Sequence, residues 1–150
     1  MSSGKGHIVG GFVFLWLFLT VFSNYYFIPS AMEIVIYAAI AIMFSLWPDV
    51  DIKSIGQKLF YSIFFLTDVA LIFYFKELET AAYFGLLIIL PILAKHRGWT
   101  HSRITAVLLP TPLLLVPMGM YGGTLLEGLP YYFAAVTGYF SHLFFDKKLI

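Results

Sequence analysis

Six apolar runs separated by short polar stretches pattern the chain. Ile8 to Ile28 carries no charge over 21 residues, long enough for a helix to cross a bilayer at 1.5 Å rise per residue. Ala31 to Trp47 follows the Pro29-Ser30 turn and holds only Glu33. Pro48 is expected to end that helix, because proline lacks an N–H and its ring clashes with the preceding turn. Asp49-Val50-Asp51-Ile52-Lys53 then reads as a polar loop. Leu59 to Phe75 is the third run, with Asp68 near its middle, and Lys76 to Thr80 is a charged turn. Ala81 to Ala94 is short at 14 residues, which suits a tilted span or one arm of a re-entrant hairpin. A polar island follows, Lys95-His96-Arg97-Gly98-Trp99-Thr100-His101-Ser102-Arg103. Ile104 to Tyr121 holds Pro110, Pro112 and Pro117, so a kinked helix is expected there. Leu129 to Phe145 is the sixth run, and Asp146-Lys147-Lys148 follows it.

This pattern predicts an all-α, polytopic transmembrane helix bundle of about six membrane segments, forming a single domain over residues 1–150. Composition agrees: 61% of residues are hydrophobic and 11% charged, against about 25% charged in soluble domains. The first run exceeds the usual apolar core of a signal peptide, and no Ala-x-Ala site follows it, so it reads as a span. A net charge of +1 gives no basic field for nucleic acid. The chain has no cysteine, which excludes thiolate zinc sites and a cysteine nucleophile. Any metal site must draw on the four His, the four Asp and the Glu residues.

Six crossings place both termini on one side, with residues 48–58 and 95–103. That side carries Lys5, Lys53, Lys58, Lys95, Arg97, Arg103, Lys147 and Lys148; the other carries only Lys76. The excess of positive charge makes the first side cytoplasmic. His7, Asp49, Asp51, His96, His101, His142 and Asp146 also fall on it, all at the ends of apolar runs. Polar groups at membrane depth are costly without partners, so their gathering at one face points to function.

The spacings suit metal binding. His142 and Asp146 are i, i+4 and share a helix face, as two ligands or as a ligand and its orienting carboxylate. An Asp-x-Asp in a loop can present both Asp49 and Asp51 inward. Gly98 lets the chain turn so that His96 and His101 face one site. Imidazole with carboxylate favours Zn, Mn or Fe, with Mg less well matched. Seven candidate ligands exceed one tetrahedral site, so two ions with water activated between them are compatible. Arg97 and Arg103 suit phosphate or developing negative charge. Ser102 and Thr100 suit ligand orientation or a phosphate oxygen. More ordinary roles compete: lysines at helix ends are most often interface anchors, and that reading fits Lys58, Lys147 and Lys148. The three Trp fit an interface belt. Asp68 lies apart from the site, as a buried partnered acid or part of an ion path.

Four motifs in order carry a family resemblance: Gly-His at 6–7, Trp-Pro-Asp-Val-Asp at 47–51, His-Arg-Gly-Trp-Thr-His-Ser at 96–102, and Gly-Tyr-Phe-Ser-His-Leu-Phe-Phe-Asp at 138–146. Over residues 6–146 the chain resembles the YdjM-like family of membrane-bound metal-dependent hydrolases. The resemblance implies a multi-pass inner-membrane helical protein binding a divalent metal through His7, Asp49, Asp51, His96, His101, His142 and Asp146, with Arg97 and Ser102 in the motif. Ile52 stands where the family often has His, and many members continue further beyond the last Asp. The first functional expectation is a hydrolase of a phosphoester or lipid-type substrate, with Arg97, Ser102 and Arg103 as catalytic groups. The alternatives are a non-catalytic membrane subunit with a structural metal site, and a metal ion transporter. Transport sites usually lie near the midplane, which sets the transporter third. The partners expected are membrane lipid and a small or lipid-linked ester, and a homo-oligomer is compatible with the pattern.

Overall fold

The computed structural model describes residues 4–25, 28–89 and 98–146, which are helical with no strand among the described residues. Each apolar run forms a helical segment. The helices are α1 (Gly4–Tyr25), α2 (Ala31–Leu46), α3 (Ile55–Ala70), α4 (Leu78–Ile89), α5 (Arg103–Leu108), α6 (Val116–Tyr121) and α7 (Leu125–Phe145). Three helical stretches are long and apolar enough to cross a membrane: Gly4–Phe22, Ala31–Asp51 and Ile55–Phe75. The α7 helix, at 21 residues, is about 31 Å long and matches them in reach.

The centre of the bundle is α1, α2 and α7 packed together. Between helices in lipid there is little hydrophobic driving force, so close approach through small residues and internal polar contacts takes its place. The buried faces fit that rule. The α7 helix turns Ala134, Ala135, Gly138 and Ser141 inward, and α2 turns Ala41 and Ser45 inward. A Cβ on Gly138 would run into the Ala41 carbonyl, so only glycine lets the two backbones meet there. Large side chains fill the wider gaps, with Leu15, Phe18 and Tyr37 against Ala41 and Ala134. The outward faces are apolar and exposed, including Val9, Phe12, Val13, Trp16 and Val21 on α1, as a lipid-facing surface requires.

Local signals set the ends. Ser30 and Glu33 form a capping box at the start of α2, with Glu33 accepting from the Ser30 N–H at 2.7 Å. Such a box satisfies two orphan backbone donors. Ser54 caps α3 by accepting from the Gln57 N–H at 2.9 Å. Its hydroxyl also donates to the Asp49 carbonyl at 2.7 Å, which ties the start of α3 to the turn that follows α2.

Several boundaries differ from the sequence reading. Residues 49–51 are not a loop: α2 stops at Leu46 and the chain tightens into a 3-10 turn over Trp47–Asp51, with Pro48 at its start. Proline is tolerated in the first turn of a helix, where its missing N–H would have no partner anyway. The α3 helix begins at Ile55 and ends in a π-turn over Leu71–Phe75, closed by Lys76 at φ 56°. The α4 helix starts at Leu78, taking in Glu79 and Thr80. The proline-rich fifth run is broken into α5, a 3-10 turn over Thr111–Leu115, and α6. The α7 helix starts four residues before Leu129 and carries Pro130 inside it. Residues 90–94 of the fourth run lie outside the described residues, so its span-or-hairpin alternative does too.

Candidate metal centre

Four elements bring their ends to one point. The first turn of α1 carries His7, the 3-10 turn after α2 carries Asp49, a second 3-10 turn over Trp99–His101 carries His101, and the last turn of α7 carries His142 with Asp146 at its C-cap. One ligand atom from each of Asp49, His101, His142 and Asp146 falls within 4.8 Å of the others, a grouping that could hold a metal ion. His142 Nε2 is 3.6 Å from Asp49 Oδ1 and 3.8 Å from Asp146 Oδ2. His101 Nε2 is 3.6 Å and 3.9 Å from the same two atoms. His7 joins from α1, with Nε2 3.7 Å from Asp146 Oδ1 and its ring stacked on His142 at a centroid distance of 3.8 Å.

The donor set fits a cation on three grounds. The His–Asp separations of 3.6–3.9 Å exceed hydrogen-bond length and stand about half an ångström above the edge of a tetrahedral zinc site, about 3.3 Å, while the four ligand atoms together fall within 4.8 Å. Asp49 Oδ1, His142 Nε2 and both Asp146 oxygens are buried and make no hydrogen bond; buried polar atoms in that state need an account. Two carboxylates also converge in a buried place, where like charges repel strongly without a counter-charge. A divalent ion supplies one.

Second-layer contacts fix the rings. His142 Nδ1 lies 2.8 Å from the Ser45 carbonyl oxygen. A carbonyl only accepts, so the proton sits on Nδ1 and Nε2 presents a lone pair to the cluster, which is how ligating histidines are held. Thr100 Oγ1 lies 3.2 Å from His101 Nδ1. The turn carrying both residues is fastened to the bundle by two hydroxyls. Tyr139 donates to the Thr100 carbonyl, and Thr105 donates to the Trp99 carbonyl at 2.6 Å.

Not every sequence candidate meets here. Asp51 is partly buried and is not among the four grouped residues. In a 3-10 turn, at about 120° per residue, positions i and i+2 lie some 120° apart around the axis, so Asp49 and Asp51 leave the turn at different angles. Ser102 is engaged as the N-cap of α5, accepting from the Ile104 N–H at 3.1 Å. Arg103 is exposed and lines an apolar groove of about 360 Å³ with Ile104, Val107, Leu108 and Phe140. His96 and Arg97 lie outside the described residues. Asp68 stands on α3, away from the cluster, with Oδ1 buried. Two contributors had no signal in the sequence: the Ser45 carbonyl, since every residue has one, and the Tyr139 hydroxyl, one of ten Tyr.

A helical membrane protein with a buried His/Asp cluster at one end of its bundle is the class these features define. The family model of the YdjM inner membrane protein matches residues 1–147. The chain belongs to that family and is an inner membrane protein. No curated protein and no solved structure matches it.

Proposed function

We propose that the chain is a membrane-embedded metal-dependent hydrolase that acts on a phosphoester of an amphiphilic substrate at the cytoplasmic face. The observation that carries this reading is the convergence of Asp49, His101, His142 and Asp146 within 4.8 Å, with the one proton of His142 committed to Ser45. A divalent ion held there would supply Lewis acidity and a lowered pKa for water. His142 and His101 would bind it through Nε2, and Asp49 and Asp146 would bind and neutralise it. Zn, Mn and Fe suit this mixed nitrogen and oxygen set best, and His7 leaves room for a second ion in the same cluster.

The position supports an amphiphile. The cluster lies where α1 begins and α2 and α7 end, so a headgroup reaches it from the membrane surface while its tail stays among the exposed apolar faces. Of the groups expected to stabilise charge or orient substrate, Ser102 caps α5 and Arg103 lines the groove beside Phe140, so neither is assigned a role at the cluster. The test is a hydrolysis panel on purified protein loaded with Mn or Zn. It includes p-nitrophenyl phosphate, bis(p-nitrophenyl) phosphate and dihexanoyl phosphatidic acid, with and without chelator. Chelator-sensitive turnover of at least one phosphoester supports the reading, and a metal-loaded protein inert on all of them contradicts it.

One observation favours a second reading, a non-catalytic subunit with a structural metal. Four of the five clustered side chains are almost fully buried. Structural sites are closed, and catalytic ones keep an open coordination position. Four protein ligands on the ion with no exchangeable water would favour it.

A further inference from the structure

Among the described residues, the cluster is least covered at Asp49. The side chains of His7, His101, His142 and Asp146 are 0–1% exposed, and that of Asp49 is 11% exposed. Asp49 lines a cleft of about 550 Å³ between the start of α1 and the start of α3, along with Lys53, Ser54, Gln57 and Lys58. Among the described residues, this is a cavity that shares a wall with the cluster. Whatever reaches an ion bound at Asp49 through this cleft meets a lining that includes both lysines.

The cleft's own chemistry selects its occupant. Lys53 and Lys58 are exposed, and neither is in an ion pair among the described residues. Two uncompensated ammonium groups beside a site built for a cation make a positive recess. An anion gains from both charges, and phosphate accepts from several donors at once. Gly4, Ile52 and Ile55 complete the lining, so the recess is amphipathic. A role for Lys58 as an interface anchor does not account for its sharing one cleft with Lys53 and the candidate ligand Asp49.

We infer that the Asp49–Lys58 cleft is the substrate-binding subsite and takes a phosphate group, through Lys53 and Lys58, next to the metal cluster. The inference rests on the phosphoester reading for what happens after binding, but the binding itself is separable. Two sources share the chemistry, a phospholipid headgroup and a free phosphate, and the probes distinguish them.

The experiment uses the full-length, Mn-loaded protein in detergent. Binding of inorganic phosphate and of dihexanoyl phosphatidic acid is measured by titration calorimetry for the wild type, Lys53→Gln/Lys58→Gln and Lys53→Arg/Lys58→Arg. Metal content and thermal melting are followed in parallel. The double Gln variant is expected to keep its metal and its melting temperature but to bind phosphate about tenfold or more weakly, the scale of losing charge-assisted hydrogen bonds. The double Arg variant is expected to bind as the wild type does. Tighter binding of the phosphatidic acid than of inorganic phosphate assigns the subsite to a lipid headgroup, and equal binding assigns it to phosphate alone. Wild-type protein that binds neither probe, or a Gln variant that binds as well as the wild type, overturns the inference. If phosphate binding is lost in the Gln variant while no ester is hydrolysed, the subsite stands and the hydrolase reading falls.

Discussion

His142 donates its Nδ1 proton to the backbone carbonyl of Ser45, 2.8 Å away, and so faces Asp49 and Asp146 with a bare Nε2. The bond joins α7 to α2 at the depth of the cluster. It makes the candidate metal ligand and the helix packing one structure. Replacing His142 with Gln therefore removes a ligand and leaves the Ser45 carbonyl to find another donor. We expect metal affinity to fall by more than the roughly 10–100-fold typical of losing only a ligand's orienting partner. Titration with Mn or Zn under a competing chelator checks it.

Asp49 and Asp51 separate a ligand from its neighbour. Asp49 is in the four-residue group and Asp51 is not. Asp49→Asn is expected to reduce bound metal sharply, because it removes charge and one ligand. Asp51→Asn is expected to leave the metal content unchanged. Elemental analysis of both variants decides it, and equal loss in the two would show that the 3-10 turn does not divide their roles.

Metal loading should depend on pH with a definite sign. Binding requires neutral imidazoles and ionised carboxylates, so it releases protons. Protons then compete with the ion as pH falls. Occupancy is expected to be full near about pH 8 and to be lost by about pH 5, while helicity measured by circular dichroism persists. Occupancy that rises on acidification would contradict ligation by histidine.

Gly138 sets the approach of α7 to α2. A methyl group there meets the Ala41 carbonyl, and backbone gives way less easily than a side chain. Gly138→Ala is expected to cost about 1–3 kcal/mol, the range for overpacking a tight core, read as a lower melting temperature in detergent. Because His142 is one helical turn further along, metal affinity should fall with it. Gly85, with open space around it, is the control: Gly85→Ala should leave both unchanged.

Much of this was legible in the residues, and the rest had physical reasons not to be. Apolar run length marks membrane helices because the bilayer demands about 20 apolar residues, and the runs are helical over their described residues, the fifth in three pieces. Counting crossings assigns His7, Asp49, His101, His142 and Asp146 to one face, since residues at run ends share a side by parity alone. The i, i+4 spacing likewise puts His142 and Asp146 on one helix face. The difference between Asp49 and Asp51 was hidden, because it depends on a 3-10 turn in place of an open loop. The Ser45 carbonyl was hidden because a backbone acceptor has no residue type. The sequence sets Lys53 beside the site, but Lys58 could not be told from an interface anchor until α1 and α3 formed a cleft around it.

The central claim is that the His/Asp cluster holds a divalent ion. Elemental analysis of protein purified without chelator, wild type beside His101→Ala, tests it most directly. The account predicts at least about one divalent ion per wild-type chain, and a clear loss in the variant while its helical content is retained. A wild-type protein without metal, or equal metal in both proteins, would contradict it.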